Sequence, residues 1–315
     1  MKLKKVILCA LSVMMIATVA GCGGSGDKQD AATPQAVSGT ITGSGSSALL
    51  PLVKDAAEKF KADNKDVSIN LNAGGSGTGL KQVSDGSVDM GNSDVPAETK
   101  LDKAKAEKLE DHKVCVMTVA TIANKDVADK VKSLTRQQLQ DIFTAKITNW
   151  KEVGGPDEKI VLVTRPKTSG TRALYKKYAL GDAEEASNQA LETDNSGILV
   201  QSVAQNPGSI GYVALPYIIN DNSVGTIAID GVAPTLENTY NGTYTVWGYE
   251  HIYTSKDPKA AVNAFIEYIM SDQYGKRIEE LGYGVSSKMQ IKEGDKGTAR
   301  HRQSWKVCFR QIEHS

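Results

Sequence analysis

Three stretches of glycine and small hydroxyl residues stand directly ahead of helix-forming runs: Gly43-Ser44-Gly45-Ser46-Ser47, Gly74-Gly75-Ser76-Gly77-Thr78-Gly79 and Arg165-Pro166-Lys167-Thr168-Ser169-Gly170-Thr171. The first turn of a helix leaves N–H groups without intrahelical partners and carries partial positive charge, so each stretch is a candidate grip for an oxyanion. Taken singly, each has a plainer reading. Ser47 could be an N-cap for a helix from near Leu50, and Gly75 to Gly79 a turn that leads into Leu80. Asp94, at the end of Val88-Asp89-Met90-Gly91-Asn92-Ser93-Asp94, could be an exposed turn residue or cap. Together with Arg165, which leaves a strand just before a helix start where α/β proteins tend to place ligands, the three loops point to a tetrahedral anion.

The elements that must position these groups follow from periodicity. Strand-like runs at Thr40 to Thr42, Val67 to Leu71, Val88 to Gly91, Val114 to Ala123, Ile160 to Thr164 and Ile210 to Val213 interleave with helical periods, which is an α/β order. Leu50, Val53, Ala57 and Phe60 form one helical stripe, and Val262, Phe265, Ile266 and Ile269 another after Asp257-Pro258, read as an N-cap with an N1 proline. Thr135 and Gln138 make a capping box for a helix through Phe143. A further helix opens at Ser169, Gly170 and Thr171 and runs to Leu180. The apolar stripes belong to the core.

Lys2, Lys4 and Lys5 precede an apolar run from Val6 to Ala20, short for a bilayer span and shaped like an export signal, so residues 1–21 are expected to be removed. The run ends Val19-Ala20-Gly21-Cys22, similar to the lipobox of bacterial lipoproteins. Cys22 is then the lipidated first residue of the mature chain, and 22–37 a glycine-rich tether to the outer face of the cell membrane. About 275 residues remain, enough for two domains. Basic and acidic residues number 37 each before the signal, with its three lysines, is removed, so the mature chain is mildly acidic and nucleic acid is excluded as a partner. Cys115, in Val114-Cys115-Val116-Met117, reads as a buried hydrophobe, and a bridge to Cys308 has no positive support. Four scattered histidines offer no metal site, and no cofactor is expected. Residues 295–315, basic and without period from about Gly297, are left without a structural account.

The chain resembles the substrate-binding lipoproteins of phosphate-specific ABC transporters from Ser38 to about Ser287. The resemblance rests on Gly43-Ser44-Gly45-Ser46-Ser47-Ala48, Gly75-Ser76-Gly77-Thr78-Gly79, Val88 to Asp94, Ser169-Gly170-Thr171-Arg172, and the stretch Leu134 to Phe143 continued by Ile147-Thr148-Asn149-Trp150-Lys151-Glu152-Val153-Gly154-Gly155. It implies an α/β, two-lobed periplasmic-binding-protein-like fold with the ligand cleft at the hinge. One lobe would be 38–118 plus 247–294, the other 119–246. It also implies that the Ser47 hydroxyl, the Ala48 amide, the Ser76 hydroxyl and Asp94 grip phosphate from the first lobe. Arg165, Ser169, Gly170 and Thr171 would grip from the second. An aspartate that in some members steadies the arginine is replaced here by Lys167, which leaves the orientation of Arg165 open. Arg172 is either a second cation or the partner of an acid elsewhere.

The resemblance further implies a monomeric, non-catalytic receptor that hands inorganic phosphate to permease subunits driven by a cytoplasmic ATPase. Phosphate near neutral pH keeps at least one P–OH, whereas sulfate has none, so an ionised Asp94 accepts from the first and repels the second. Receptors for sulfate or molybdate are the near alternatives, disfavoured by Asp94. A secreted phosphoester hydrolase is the alternative from another class, and it lacks both a Gly-x-Ser-x-Gly elbow and a histidine beside a nucleophile motif. Sensing on the same fold stays open beside transport.

Overall fold

The computed structural model describes residues 37–186 and 190–296. The export signal, Cys22, the tether up to 36, and the tail from 297 with Cys308 lie outside the described residues.

In chain order the elements are β1 (Gly39–Gly45), α1 (Leu50–Asp63), β2 (Val67–Ala73), α2 (Ser76–Ser84), β3 (Met90–Ser93), α3 (Lys103–Ala106), β4 (Leu109–Asn124) and α4 (Lys125–Ala128). They continue with β5 (Ser133–Leu134), α5 (Arg136–Phe143), β6 (Val161–Thr164), α6 (Gly170–Tyr178), β7 (Ala190–Glu192), α7 (Ser196–Gln205), β8 (Ser209–Ala214) and β9 (Val224–Ile229). Last come α8 (Leu236–Tyr240), β10 (Trp247–Ser255), α9 (Ala260–Met270) and α10 (Asp272–Glu280). The strands run β2-β1-β3-β10-β4-β8-β6-β7, with β9 against β4 and β5.

β4 joins the two lobes. Up to Thr118 it pairs antiparallel with β10, and from Val119 it pairs with β8 and β9. On the first side β1 lies parallel between β2 and β3; on the second, β6 lies parallel between β7 and β8. Each lobe carries helices on both sheet faces, as the alternation of side chains along a strand requires. α1, α9 and α10 bury Leu52, Val53, Phe60, Phe265 and Ile278 with Ile41 and Cys115. α2 covers the opposite face through Leu80 and Val83. In the second lobe Val119 and Ala123 join the core with Phe143, Trp150 and Tyr175, while Ala120 and Ile122 pack against Leu199 and Val203 of α7. Among the described residues no helix is long and apolar enough to cross a membrane.

The Thr135–Gln138 capping box forms as expected, and Ser169 caps α6, which stops at Tyr178 rather than Leu180. Four expectations are corrected. β3 starts at Met90 rather than Val88 because Asp89 is a clip onto β1: its carboxylate accepts from Thr42 N at 2.8 Å and its own amide donates to Thr42 O at 2.9 Å. α9 begins at Ala260 with Lys259 as an uncapped N-cap, so Asp257-Pro258 stays outside the helix; the residue before a proline is biased to extended backbone. Val37, counted with the tether, packs on the first core. Lys296, counted with the tail, is 3 % exposed, its ammonium bonded to Trp247 O and lying 3.7 Å from the Trp247 ring centroid.

Candidate anion-binding site

Five strands deliver the candidate groups at their C-terminal ends, the edge at which α/β sheets hold ligands. β1 runs into Ser46, Ser47 and Ala48; β2 into Gly75 and Ser76; β3 into Asp94; β6 into Arg165; β7 into Asp194. The loops converge between the lobes. Ser47, Ser76, Asp94, Arg165, Ser169 and Thr171 are all at most 3 % exposed, and Ala48 and Gly170 are buried beside them.

Contacts across the junction are short and polar. Ser47 Oγ donates to Asp194 O at 2.7 Å and lies 2.9 Å from Ser196 Oγ. Thr171 Oγ1 donates to Asp94 Oδ2 at 2.6 Å, and Gly77 N donates to Thr168 O at 3.0 Å. The Tyr217 hydroxyl donates to Ser47 O at 2.6 Å. Two glycines make this approach sterically allowed: a Cβ on Gly75 would stand 1.9 Å from Asp194 Oδ2, and one on Gly170 2.3 Å from Ser76 Oγ. Gly75 also has φ +83°, in the left-handed region that glycine occupies without strain.

The local reasons differ from those expected for the first loop. Ser47 does not cap α1; its hydroxyl crosses to the other lobe, and it is Ser46 Oγ that accepts from Ala48 N at 3.0 Å and Leu49 N at 3.3 Å. The Ala48 amide is therefore already engaged within its own loop. Ser76 Oγ accepts from Asp94 N at 3.0 Å, which ties the start of α2 to the end of β3 and leaves the Ser76 hydroxyl proton free to donate. Asp94 is 2 % exposed rather than a surface turn residue.

Arg165 is fully buried. Its Nη2 donates to Ser196 Oγ at 3.0 Å, its Nη1 to Asp194 O at 3.4 Å, and its guanidinium lies 6.0 Å from the Tyr212 ring centroid. Asp194 and Ser196 thus supply the orientation that Lys167 cannot. Arg165 Nε, Asp94 Oδ1 and Asp194 Oδ2 are buried without protein partners. The arrangement therefore presents several donors and one short-range cation around few acceptors, which suits an oxyanion that brings a proton of its own.

Arg172 is the partner of an acid: its Nε lies 3.3 Å from Glu185 Oε2, and its Nη1 donates to Arg165 O. It braces the backbone of Arg165. Burial pushes the Glu185 carboxyl up to about 7, against the opposing pull of Arg172. A carboxyl raised on folding adds stability that is complete below its unfolded value and is lost as pH rises through the folded one. Glu185 should therefore contribute on the order of 3 kcal/mol at about pH 4.5 that fades by about pH 7.5. Urea unfolding of the wild type and Glu185→Gln across that range checks this: the stability difference between them should shift with pH, and a constant difference would contradict it.

Sequence reasoning missed three residues at the junction. Lys100, after β3, donates to Lys167 O at 2.7 Å and Ser169 O at 3.2 Å across the cleft mouth. Burial lowers its ammonium, while Asp94 and Asp194 oppose the shift. Asp194 and Ser196 open α7, and burial raises the Asp194 carboxyl while Arg165 pulls it down. A signal for them was present. Asp194-Asn195-Ser196-Gly197 before Ile198-Leu199-Val200 repeats the small, polar helix start of the three loops already singled out.

A PBP superfamily domain model matches residues 30–273. The chain is 42 % identical over 297 residues to the phosphate-binding protein PstS of Bacillus subtilis, covering 92 % of this chain and 97 % of that protein. Among solved structures it is similar to a putative phosphate ABC transporter substrate-binding protein with bound phosphate from Clostridium perfringens, with a TM-score of 0.71 and 31 % identity over 81 % of this chain and all of that one. It is also similar to an ABC-type phosphate transport receptor from Vibrio cholerae, with a TM-score of 0.61 and 28 % identity over 78 % and 99 % of the two chains.

Proposed function

The chain belongs to the PstS phosphate-binding proteins of the PBP superfamily, and from that premise we propose that it captures inorganic phosphate between its lobes and delivers it to an ABC transporter permease. The observation that carries this reading is the junction itself. Arg165 from one lobe and Asp94 from the other are both buried, and Arg165 Nε has no protein partner. Ser47, Ser76 and Asp94 on one side, with Arg165, Ser169, Gly170 and Thr171 on the other, are the proposed ligand contacts. The Ala48 amide joins them if it exchanges Ser46 Oγ for the anion.

The proposed lobes are 38–118 with 247–294, and 119–246. The partner exchange of β4 between Thr118 and Val119 supports that division. Contacts available only when both lobes meet are what a ligand needs to favour the closed state. The role is proposed to be non-catalytic. Both described histidines within β4 and β10 are engaged elsewhere, His251 with Asp111 and His112 with Thr254, so neither stands as a base for Ser47, Ser76 or Ser169. Lipid attachment at Cys22, a monomeric state and a place on the outer face of the membrane complete the proposal; they rest on the sequence.

Thermal unfolding tests it. A ligand that binds only the folded state adds RT ln(1 + [L]/Kd), roughly 4 kcal/mol at a thousandfold excess over Kd. Millimolar phosphate should raise the unfolding temperature by several degrees and equal sulfate should not. Equal shifts with both anions, or none, would overturn the reading.

A further inference from the structure

Glu250 is fully buried in β10, and neither of its carboxyl oxygens has a hydrogen-bond partner. The β3/β10 ladder pairs Ile252 with Asn92 and His251 with Ser93, so Glu250 stands next in line, level with Asp94. The groups facing it are Asp94 after β3, Cys115 opposite on β4, Tyr217 after β8 and Tyr283 after α10. None is a cation. The two tyrosine hydroxyls donate elsewhere, Tyr217 to Ser47 O and Tyr283 to Ala48 O.

Two buried carboxyl groups this close cannot both carry charge, so one proton belongs to the pair. Donors decide where it resides. Asp94 Oδ2 receives the Thr171 hydroxyl, while Glu250 receives none; a hydrogen-bonded carboxylate keeps its charge, and an unsolvated one takes the proton. Burial and the neighbouring Asp94 charge both raise the Glu250 carboxyl well above the usual range. The oxygen left to accept the proton's hydrogen bond is Asp94 Oδ1, which no other group addresses.

We infer that Glu250 is a specificity-determining positioning residue, a neutral carboxylic acid whose O–H donates to Asp94 Oδ1 and so leaves Oδ2 as the one acceptor turned to the anion. This rests on the reading of Asp94 as the group that meets a hydrogen on the ligand. An acid kept neutral by an apolar site in order to donate is known chemistry in enzymes. Here its effect is to occupy Oδ1 and fix the orientation of the Asp94 carboxylate, so that what meets the anion is an acceptor and not a donor.

The test is the ratio of phosphate to sulfate affinity at about pH 7, by calorimetry, in the wild type, Glu250→Gln and Glu250→Leu. Glutamine can still donate through its amide and should hold the ratio within about threefold of wild type. Leucine cannot, and its ratio should fall at least about tenfold, the scale of one charge-assisted hydrogen bond. A leucine variant with the wild-type ratio overturns the inference, whereas a wild type that does not prefer phosphate overturns the reading of the site instead. If the leucine variant does not fold, infrared spectra decide. In a Glu185→Gln background, which removes the other buried acid raised toward neutrality, a protonated-carboxyl stretch should be present at neutral pH and missing once Glu250→Gln is added, and its absence from that background overturns the inference.

Discussion

Arg165→Met is expected to weaken phosphate binding by roughly 10²- to 10⁴-fold, the loss of two charge-assisted hydrogen bonds at about 1.5–3 kcal/mol each. Of the five guanidinium donors, one goes to Ser196 Oγ and one to Asp194 O, which leaves enough for a fork onto two anion oxygens. The side chain is fully buried, so neither water nor salt takes over the role of the missing charge. Arg165→Lys restores the charge as a point without the planar fork, and should recover only part of the affinity. Isothermal calorimetry at neutral pH measures both variants. Methionine at wild-type affinity would show that Lys100, the other cation at the junction, suffices.

The second large effect is on selectivity. Asp94→Asn replaces an acceptor-only carboxylate by an amide that can donate, so the repulsion and the unpaired contact that exclude sulfate both disappear. A buried site built to pair a ligand hydroxyl rejects the analogue lacking it by about 10⁴–10⁵, and most of that ratio should be lost. The direction is specific: phosphate affinity falls while sulfate affinity rises. Thr171 Oγ1, which donates to Asp94 Oδ2 at 2.6 Å, keeps a partner in the asparagine carbonyl, so the fold should tolerate the change. Calorimetric titration of both anions into the variant would read out the ratio directly, and an unchanged preference for phosphate would remove Asp94 from the account.

Much of the site was legible because helix starts are written locally. A capping residue, a glycine and a following apolar stripe lie within a few positions of one another, and the Thr135–Gln138 box and the Ser169 cap formed where expected. What stayed hidden depends on pairing between distant segments. β7 is three residues long and carries no apolar period, so the fourth polar helix start, with Asp194 and Ser196, had no strand ahead of it to mark it as part of the site. β10 mixes Gly248, Glu250 and His251 into a nine-residue strand that β3 and β4 hold from either side, with a register shift against β4 between Glu250 and His251. Glu250 therefore looked like any charged residue in an unassigned stretch. Arg172 could be resolved only once Glu185 was placed 3.3 Å from it. Ser47 shows the reverse case: its sequence position suggested a cap, yet α1 has no side-chain cap, Ser46 Oγ takes the amides of the turn before it, and the Ser47 hydroxyl reaches across the lobes.

A crystal structure grown with phosphate measures the central claim most directly. The anion should lie between the lobes within hydrogen-bond distance of both Asp94 and Arg165, with hydroxyls of Ser47, Ser76, Ser169 and Thr171 around it. Phosphate bound anywhere else, or held without contact to Asp94, would contradict the account.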